Sequence, residues 1–169
     1  MNNPIRTALI GYGKAAHMHA QALKNIPENI LVAVQGRDLS KARIFGDQYN
    51  IVPYDDLEKM ISKERLDMVV ICTPHPYHRD SAVTALSLGV HVLIEKPIAA
   101  SLEDADAIIS AAKLSAKKLG IVSQRRFLPP SLRMKAAIDA GKIGVPVLGT
   151  VVMLGWRDEA YYRSDPWRA

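Results

Sequence analysis

The chain has 169 residues, 49% hydrophobic and 23% charged, a balance that excludes a disordered segment and suits one folded domain, or one domain and a piece of another. Lys and Arg number 22 against 17 Asp and Glu, a formal charge of +5 that brings an anionic partner into consideration. Residues 124–169 hold 8 of the basic and 4 of the acidic groups, so most of the excess lies in the last quarter.

The longest apolar runs, such as Met68 to Cys72, fall far short of the ~20 residues a bilayer-crossing helix needs, so no membrane partner is expected. The opening MNNPIRTALIGYG lacks the charged start and long apolar stretch of a secretory signal. Cys72 is the single cysteine, which rules out an internal disulfide and makes a reducing cytoplasm the expected location.

In chain order, short branched apolar runs alternate with amphipathic stretches, the pattern of successive βα units. Strands are expected at Ile5 to Ile10, Ile30 to Val34, Met68 to Cys72, Val90 to Ile94 and Ile121 to Val122. Their unbroken hydrophobicity suits a parallel sheet covered on both faces. Helices are expected at Ala15 to Asn25, Ser40 to Tyr49, Asp56 to Ser62, Tyr77 to Leu88 and Ser101 to Leu119. Ser101 and Asp104 make a capping-box-like start, while Gly89 and Gly120 sit where C′ glycines would. The fold class is α/β, a doubly wound, mostly parallel sheet over residues 1–123. After it the style changes: a connector from Gln124 to Pro130, a helix from Ser131 to Ala140 stopped by Gly141, and strand composition from Val147 to Trp156. One helix and one strand cannot bury a core, so residues 124–169 read as the incomplete start of an α+β second domain.

The first strand runs into GYGKAA, Gly11 to Ala16, and then into a helix, the setting in which a GxGxxA pattern signifies dinucleotide binding. Gly11 permits the tight turn, Gly13 lets a pyrophosphate approach the backbone, and Ala16 keeps helix and strand close. The N–H groups along Tyr12, Lys14 and Ala15 and the positive end of the helix then face the phosphates. The plainer alternative is a glycine turn that only closes a βα unit. Twenty positions after Ala16, where an NAD-preferring site offers a carboxylate to the adenine ribose, the sequence has Gly36 followed by Arg37. Arg37 can meet a 2′-phosphate with its planar guanidinium, which leans toward NADP over NAD. The competing reading makes Gly36 a turn residue, Arg37 a solvated side chain and Asp38 a helix N-cap.

Two loops at carboxyl ends of strands carry further chemistry: TPHPYH after Cys72, and Glu95, Lys96 and Pro97 after Ile94. Taken in order, GYGKAAHMHA, CTPHPYH, GVHVLIEKPIA and QRRFLPP resemble the Gfo/Idh/MocA family of NAD(P)-dependent oxidoreductases. The resemblance covers essentially the whole chain, with EKP its most specific element. It implies a Rossmann-type domain and hydride transfer between a nicotinamide cofactor and a hydroxyl or carbonyl group of a sugar or polyol. Lys96 would sit beside the nicotinamide and the substrate carbon and help move the hydroxyl proton, since a lysine beside a cationic ring is a usable proton acceptor. Glu95 would hold geometry or contact the cofactor, and Pro97 would shape the turn through a cis bond. Thr73, Pro74 and His75 would line the adenosine side, and His78 would begin the following helix. Gln124 and Arg126, and less strongly Arg125, would meet the nicotinamide and substrate. Trp156, Arg157, Trp167 and Arg168 would face the cleft, unless the aromatics pack a second-domain core.

Other readings weigh less. Cys72, His75 and His78 have metal-like spacing but no fourth ligand, so no metal is expected. His17, His19 and His91 read as packing or surface residues. The basic tail carries no nucleic-acid motif, so no nucleic-acid partner is expected. Family members continue into an open-faced sheet with an Asp and a His that complete proton transfer, and no His follows His91 here. The resemblance therefore implies cofactor binding with an incomplete catalytic set and a homo-oligomer at full length. The alternative is a non-catalytic NAD(P)-binding scaffold or sensor.

Overall fold

The computed structural model describes residues 3–164, and the chain divides after Val122 into two compact units. In the first, six strands form one sheet: β1 (Ile5–Ile10), β2 (Asn29–Gln35), β3 (Val52–Tyr54), β4 (Met68–Ile71), β5 (His91–Ile94) and β6 (Leu119–Ile121). Every pairing is parallel, in the order β3-β2-β1-β4-β5-β6. The helices between them are α1 (Lys14–Lys24), α2 (Leu39–Tyr49), α3 (Leu57–Glu64), α4 (His78–Ser87) and α5 (Leu102–Ser115).

Alternation along the central strands builds a core on each face, because successive side chains of a strand point to opposite sides. Ala8, Ile10, Val69 and Ile71 pack with Met60 of α3, Leu86 of α4 and Ile108 of α5. Leu9, Val34 and Val70 pack with Ala16, Ala20 and Leu23 of α1 and Phe45 of α2. Leu9, Val69, Val70 and Ile71 are fully buried, as their apolar run implies for a sheet covered on both sides. Each large side chain buried this way contributes about 1.5–3 kcal/mol.

Three features of this unit differ from the sequence expectation. β3 is absent from it, because three residues with a central proline make a weak strand signal; Pro53 is tolerated because β3 is an edge strand. The helix expected to reach Leu119 ends at Ser115, where Ala116 turns left-handed at φ 54° and the chain enters β6. Gly120 is accordingly no helix cap: a Cβ there would lie 3.1 Å from Leu93 Cδ1, so the glycine serves packing between neighbouring strands. Gly89, in contrast, has the φ of +79° expected after a helix.

In the second unit, α6 spans Pro129–Asp139 and α7 spans Glu159–Arg163. Pro129 and Pro130 form the first turn of α6 instead of ending the connector, since proline's missing N–H has no intrahelical partner in a first turn anyway. Residues 147–156 do not form the expected strand. A strand needs a neighbour for its backbone groups, and no strand occurs among the described residues after Val122. Val147 and Leu154 are 97% and 94% exposed.

Candidate functional site

Strand order reverses at β1, whose neighbours β2 and β4 lead in opposite directions, and a parallel sheet opens a crevice at such a point beyond its carboxyl ends. Gly11 leaves β1 at φ +99°, and its Cβ position lies only 3.1 Å from the backbone of Cys72 and Thr73. A side chain is excluded there both by conformation and by space. Gly13 then N-caps α1 with no side-chain hydrogen bond, and nothing lies within 4 Å of its Cβ position. α2, α3 and α5 each have their first N–H groups capped by a side chain, from Asp38, Asp56 and Ser101. α1 leaves its first donors, following Gly13, open above the crevice. Lys14 is exposed, Ala15 half-buried, and Ala16 fully buried against the sheet.

At the end of β2, Gly36 is buried, and a Cβ on it would lie 2.2 Å from the Tyr12 ring. The aromatic ring of the phosphate turn thus occupies the place where a ribose-binding carboxylate would start. Arg37 is exposed and its guanidinium lies 4.8 Å from the centroid of Tyr77, in the short 3-10 turn His75–Tyr77 after β4. Asp38 caps α2 by accepting from the N–H groups of Ser40 and Lys41. The capping role and the free guanidinium are therefore compatible.

Thr73 follows β4, and its hydroxyl oxygen is buried without any hydrogen-bond partner. Such a group costs about 1–3 kcal/mol unless something satisfies it. His78 opens α4 but is 1% exposed, with Nε2 2.8 Å from the Thr73 carbonyl and Nδ1 3.1 Å from that of Pro97. Its place is beneath the loops, not on their solvent side.

The Lys96–Pro97 bond is cis. Lys96 is exposed, and its ammonium has no ion-pair partner among the described residues. The carboxylate of Glu95 turns away from it, lying 2.9 Å from His19 Nε2 and accepting from the Lys96 N–H at 3.2 Å. Glu95 and Lys96 are thus not the solvated ion pair that adjacent opposite charges suggest. Burial, with the Glu95 charge adding to it, pushes the Cys72 thiol far up and keeps it protonated.

His19 is the residue that sequence reasoning passed over, because its partner lies 76 positions away and no local pattern signals such a contact. His17 does pack as expected, between Phe45 and Tyr49, and His91 accepts the Lys118 N–H. Gln124 and Arg126 occupy an exposed 3-10 turn of the second unit. Arg157 there donates to the Trp156 carbonyl and stacks near Tyr161. Trp167 and Arg168 lie outside the described residues.

The donors above Gly13 and the orphan Thr73 hydroxyl fit a phosphate-bearing dinucleotide, and together with the sheet order they define a nucleotide-binding α/β domain. The chain belongs to the Gfo/Idh/MocA oxidoreductases: the model of that family, described as having an NAD-binding Rossmann fold, matches residues 5–122. It is 34% identical over 157 residues to scyllo-inositol 2-dehydrogenase (NAD(+)) of Bacillus subtilis, covering 87% of this chain and 44% of that protein. A second B. subtilis relative, an NADP(+) scyllo-inositol 2-dehydrogenase, is 31% identical over 141 residues, 83% of this chain and 42% of that one. The WlbA dehydrogenase of Bordetella pertussis, solved with NADH and UDP-GlcNAcA, superposes with a TM-score of 0.86 at 26% identity, covering 98% of this chain and 51% of that one. The chain spans about half the length of the relatives it matches. No helix among the described residues is long and apolar enough to cross a membrane.

Proposed function

We propose that the chain supplies the cofactor site and the proton-handling lysine of an NAD(P)-dependent dehydrogenase acting on a sugar or polyol. One observation carries this: an uncapped helix start above open Gly13 and an exposed, unpaired Lys96 occur at the same carboxyl edge of one sheet. A bound nicotinamide dinucleotide would supply the hydride acceptor. The N–H groups at the start of α1 bind its phosphates, and Gly11 holds the turn against β4. In its neutral amine form Lys96 orients the substrate hydroxyl and takes its proton at Nζ as the carbonyl forms, becoming the ammonium that returns the proton in the reverse direction.

NADP is the preferred cofactor in this reading. Tyr12 fills the space of a carboxylate at position 36, and Arg37 stands exposed beside Tyr77 with its guanidinium free of any acidic partner among the described residues. The exposed Val147, Val151 and Leu154 favour burial in a larger, homo-oligomeric protein, and the lone buried Cys72 suits a reducing cytoplasm. Fluorescence titration with NADPH and NADH tests the cofactor reading, and tighter binding of NADH overturns the NADP preference. Lys96→Ala in the catalytically competent protein should depress turnover about 100-fold or more with cofactor affinity retained. Unchanged turnover removes Lys96 from the chemistry.

A further inference from the structure

The Lys96 loop leaves the sheet after Glu95, whose N–H makes the last ladder-like bond, to the Ile71 carbonyl. Two histidines from different helices then take over. On the amino side of Lys96, His19 of α1 lies 2.9 Å from Glu95 Oε1, and the other carboxylate oxygen accepts the Lys96 N–H. On the carboxyl side, His78 Nδ1 lies 3.1 Å from the Pro97 carbonyl and 3.3 Å from that of Ile98. The opposite nitrogen of the same ring lies 2.8 Å from the Thr73 carbonyl, so the His78 ring sits between the loop after β5 and the loop after β4. With 1% exposure at His78, water does not reach the ring nitrogens.

We propose that His19 and His78 are positioning residues for Lys96, clamping its backbone from both sides so that the lysine projects from a fixed height above β4 and β5. The inference rests on the role given to Lys96 above. Neither histidine touches the reacting atoms; each acts through the backbone or carboxylate it holds. Carbonyl oxygens only accept and a neutral imidazole carries a single N–H, so the His78 ring donates to one loop through the nitrogen that holds its proton and packs its other nitrogen against the second. Phenylalanine or leucine fills similar space without donors, whereas the glutamine amide restores N–H groups. The clamp therefore separates from mere packing by chemistry at constant bulk.

Amide hydrogen exchange over residues 95–100 of the ligand-free chain is the test. In His78→Phe and in His19→Leu, exchange there should quicken on the order of 10-fold while β1 and β2 keep their protection, and His78→Gln and His19→Gln should regain most of the loss. Unchanged exchange at 95–100 in both apolar variants overturns the clamp, as does equal loss across the whole unit. Should His78→Phe fail to fold, His19→Leu still carries the exchange test. Proton NMR of the unsubstituted chain then tests His78: a slowly exchanging ring N–H is expected, and ring protons in free exchange with water overturn its part. In the competent protein, the apolar variants should lower kcat about 10-fold with cofactor KM within about twofold, since ångström-scale misplacement acts on the chemical step. Normal turnover in Lys96→Ala would sink the role of the lysine while leaving the exchange result standing, so the two failures are distinguishable.

Discussion

The two edges of the sheet are built to opposite ends. At the amino edge, Arg6 donates from its backbone to Asp67, and from its guanidinium to the Glu64 carbonyl and carboxylate. From the last residue of β3, level with the carboxyl ends of β1 and β2, the Tyr54 hydroxyl donates to the second Glu64 oxygen at 2.6 Å. Polar groups there are satisfied by one another. At the carboxyl edge, α1 has no cap, the Thr73 hydroxyl has no partner, and Lys96 has no counter-charge among the described residues. Unmet hydrogen-bonding capacity lowers stability, and its concentration on one edge marks where a ligand contributes. Substitutions at the first edge should therefore change stability with little effect on cofactor binding, and those at the second should do the reverse.

The largest effect should come from Gly13→Asp. Because no atom lies within 4 Å of the added Cβ, the fold should keep its melting temperature. A carboxylate near the pyrophosphate seat, at an effective dielectric of about 20 and a separation of about 5 Å, costs roughly 3 kcal/mol, or on the order of 100-fold in cofactor affinity. Calorimetry of NADPH binding together with a melting curve measures both. Retained affinity would show that phosphates do not sit above Gly13. Gly11→Ala is the internal contrast: its φ of +99° and its 3.1 Å approach to Cys72 put about 1–3 kcal/mol of the cost into stability.

The legible half of this architecture is the local half. GYGKAA announces its turn because phosphate binding there needs small residues at fixed offsets, and the strands show because burial on both faces leaves unbroken apolar runs. Asp38 and Ser101 were visible as helix starts because capping is a contact between near neighbours. The carboxyl end of α5 departs from the helical pattern because Leu119 to Ile121 pair with β5, a tertiary contact that overrides it. Tyr12 over Gly36, His19 on Glu95 and His78 on Pro97 join residues 19 to 76 positions apart. No periodicity encodes such pairs. The supporting shell of the lysine therefore became visible only in three dimensions, although the place of the lysine at a strand end could be read directly.

A smaller effect tests the satisfied edge. Glu64→Ala strips Arg6 and Tyr54 of a shared acceptor that is 17% exposed, and should cost about 1–2 kcal/mol of stability by urea unfolding. Cofactor affinity should stay within about twofold, because the substitution is remote from the donors above Gly13. Equal losses of stability and affinity would mean that the edges are coupled.

The smallest effect is confined to alkaline pH. Burial, followed by the hydrogen bond to Glu64 and the charge of that carboxylate, pushes the Tyr54 hydroxyl up from 10.0 to about 12. Ionisation is thus disfavoured in the folded chain relative to the unfolded one. Above pH 10 the unfolded state loses its proton first, so unfolding gains and stability falls as pH rises toward 12. The contribution is fully present below pH 10, which makes it invisible in neutral buffer. Tyr54→Phe should consequently show a shallower decline between pH 10 and pH 12 in urea midpoints, after a small loss at neutral pH from the missing hydroxyl. Glu64→Gln should also flatten the decline, because it removes the charge that opposes phenolate formation while keeping an acceptor oxygen. A decline of equal slope in all three proteins would mean that other tyrosines or lysines govern alkaline unfolding, and that the Tyr54 hydroxyl is less closely held by the amino edge than its 2.6 Å contact implies.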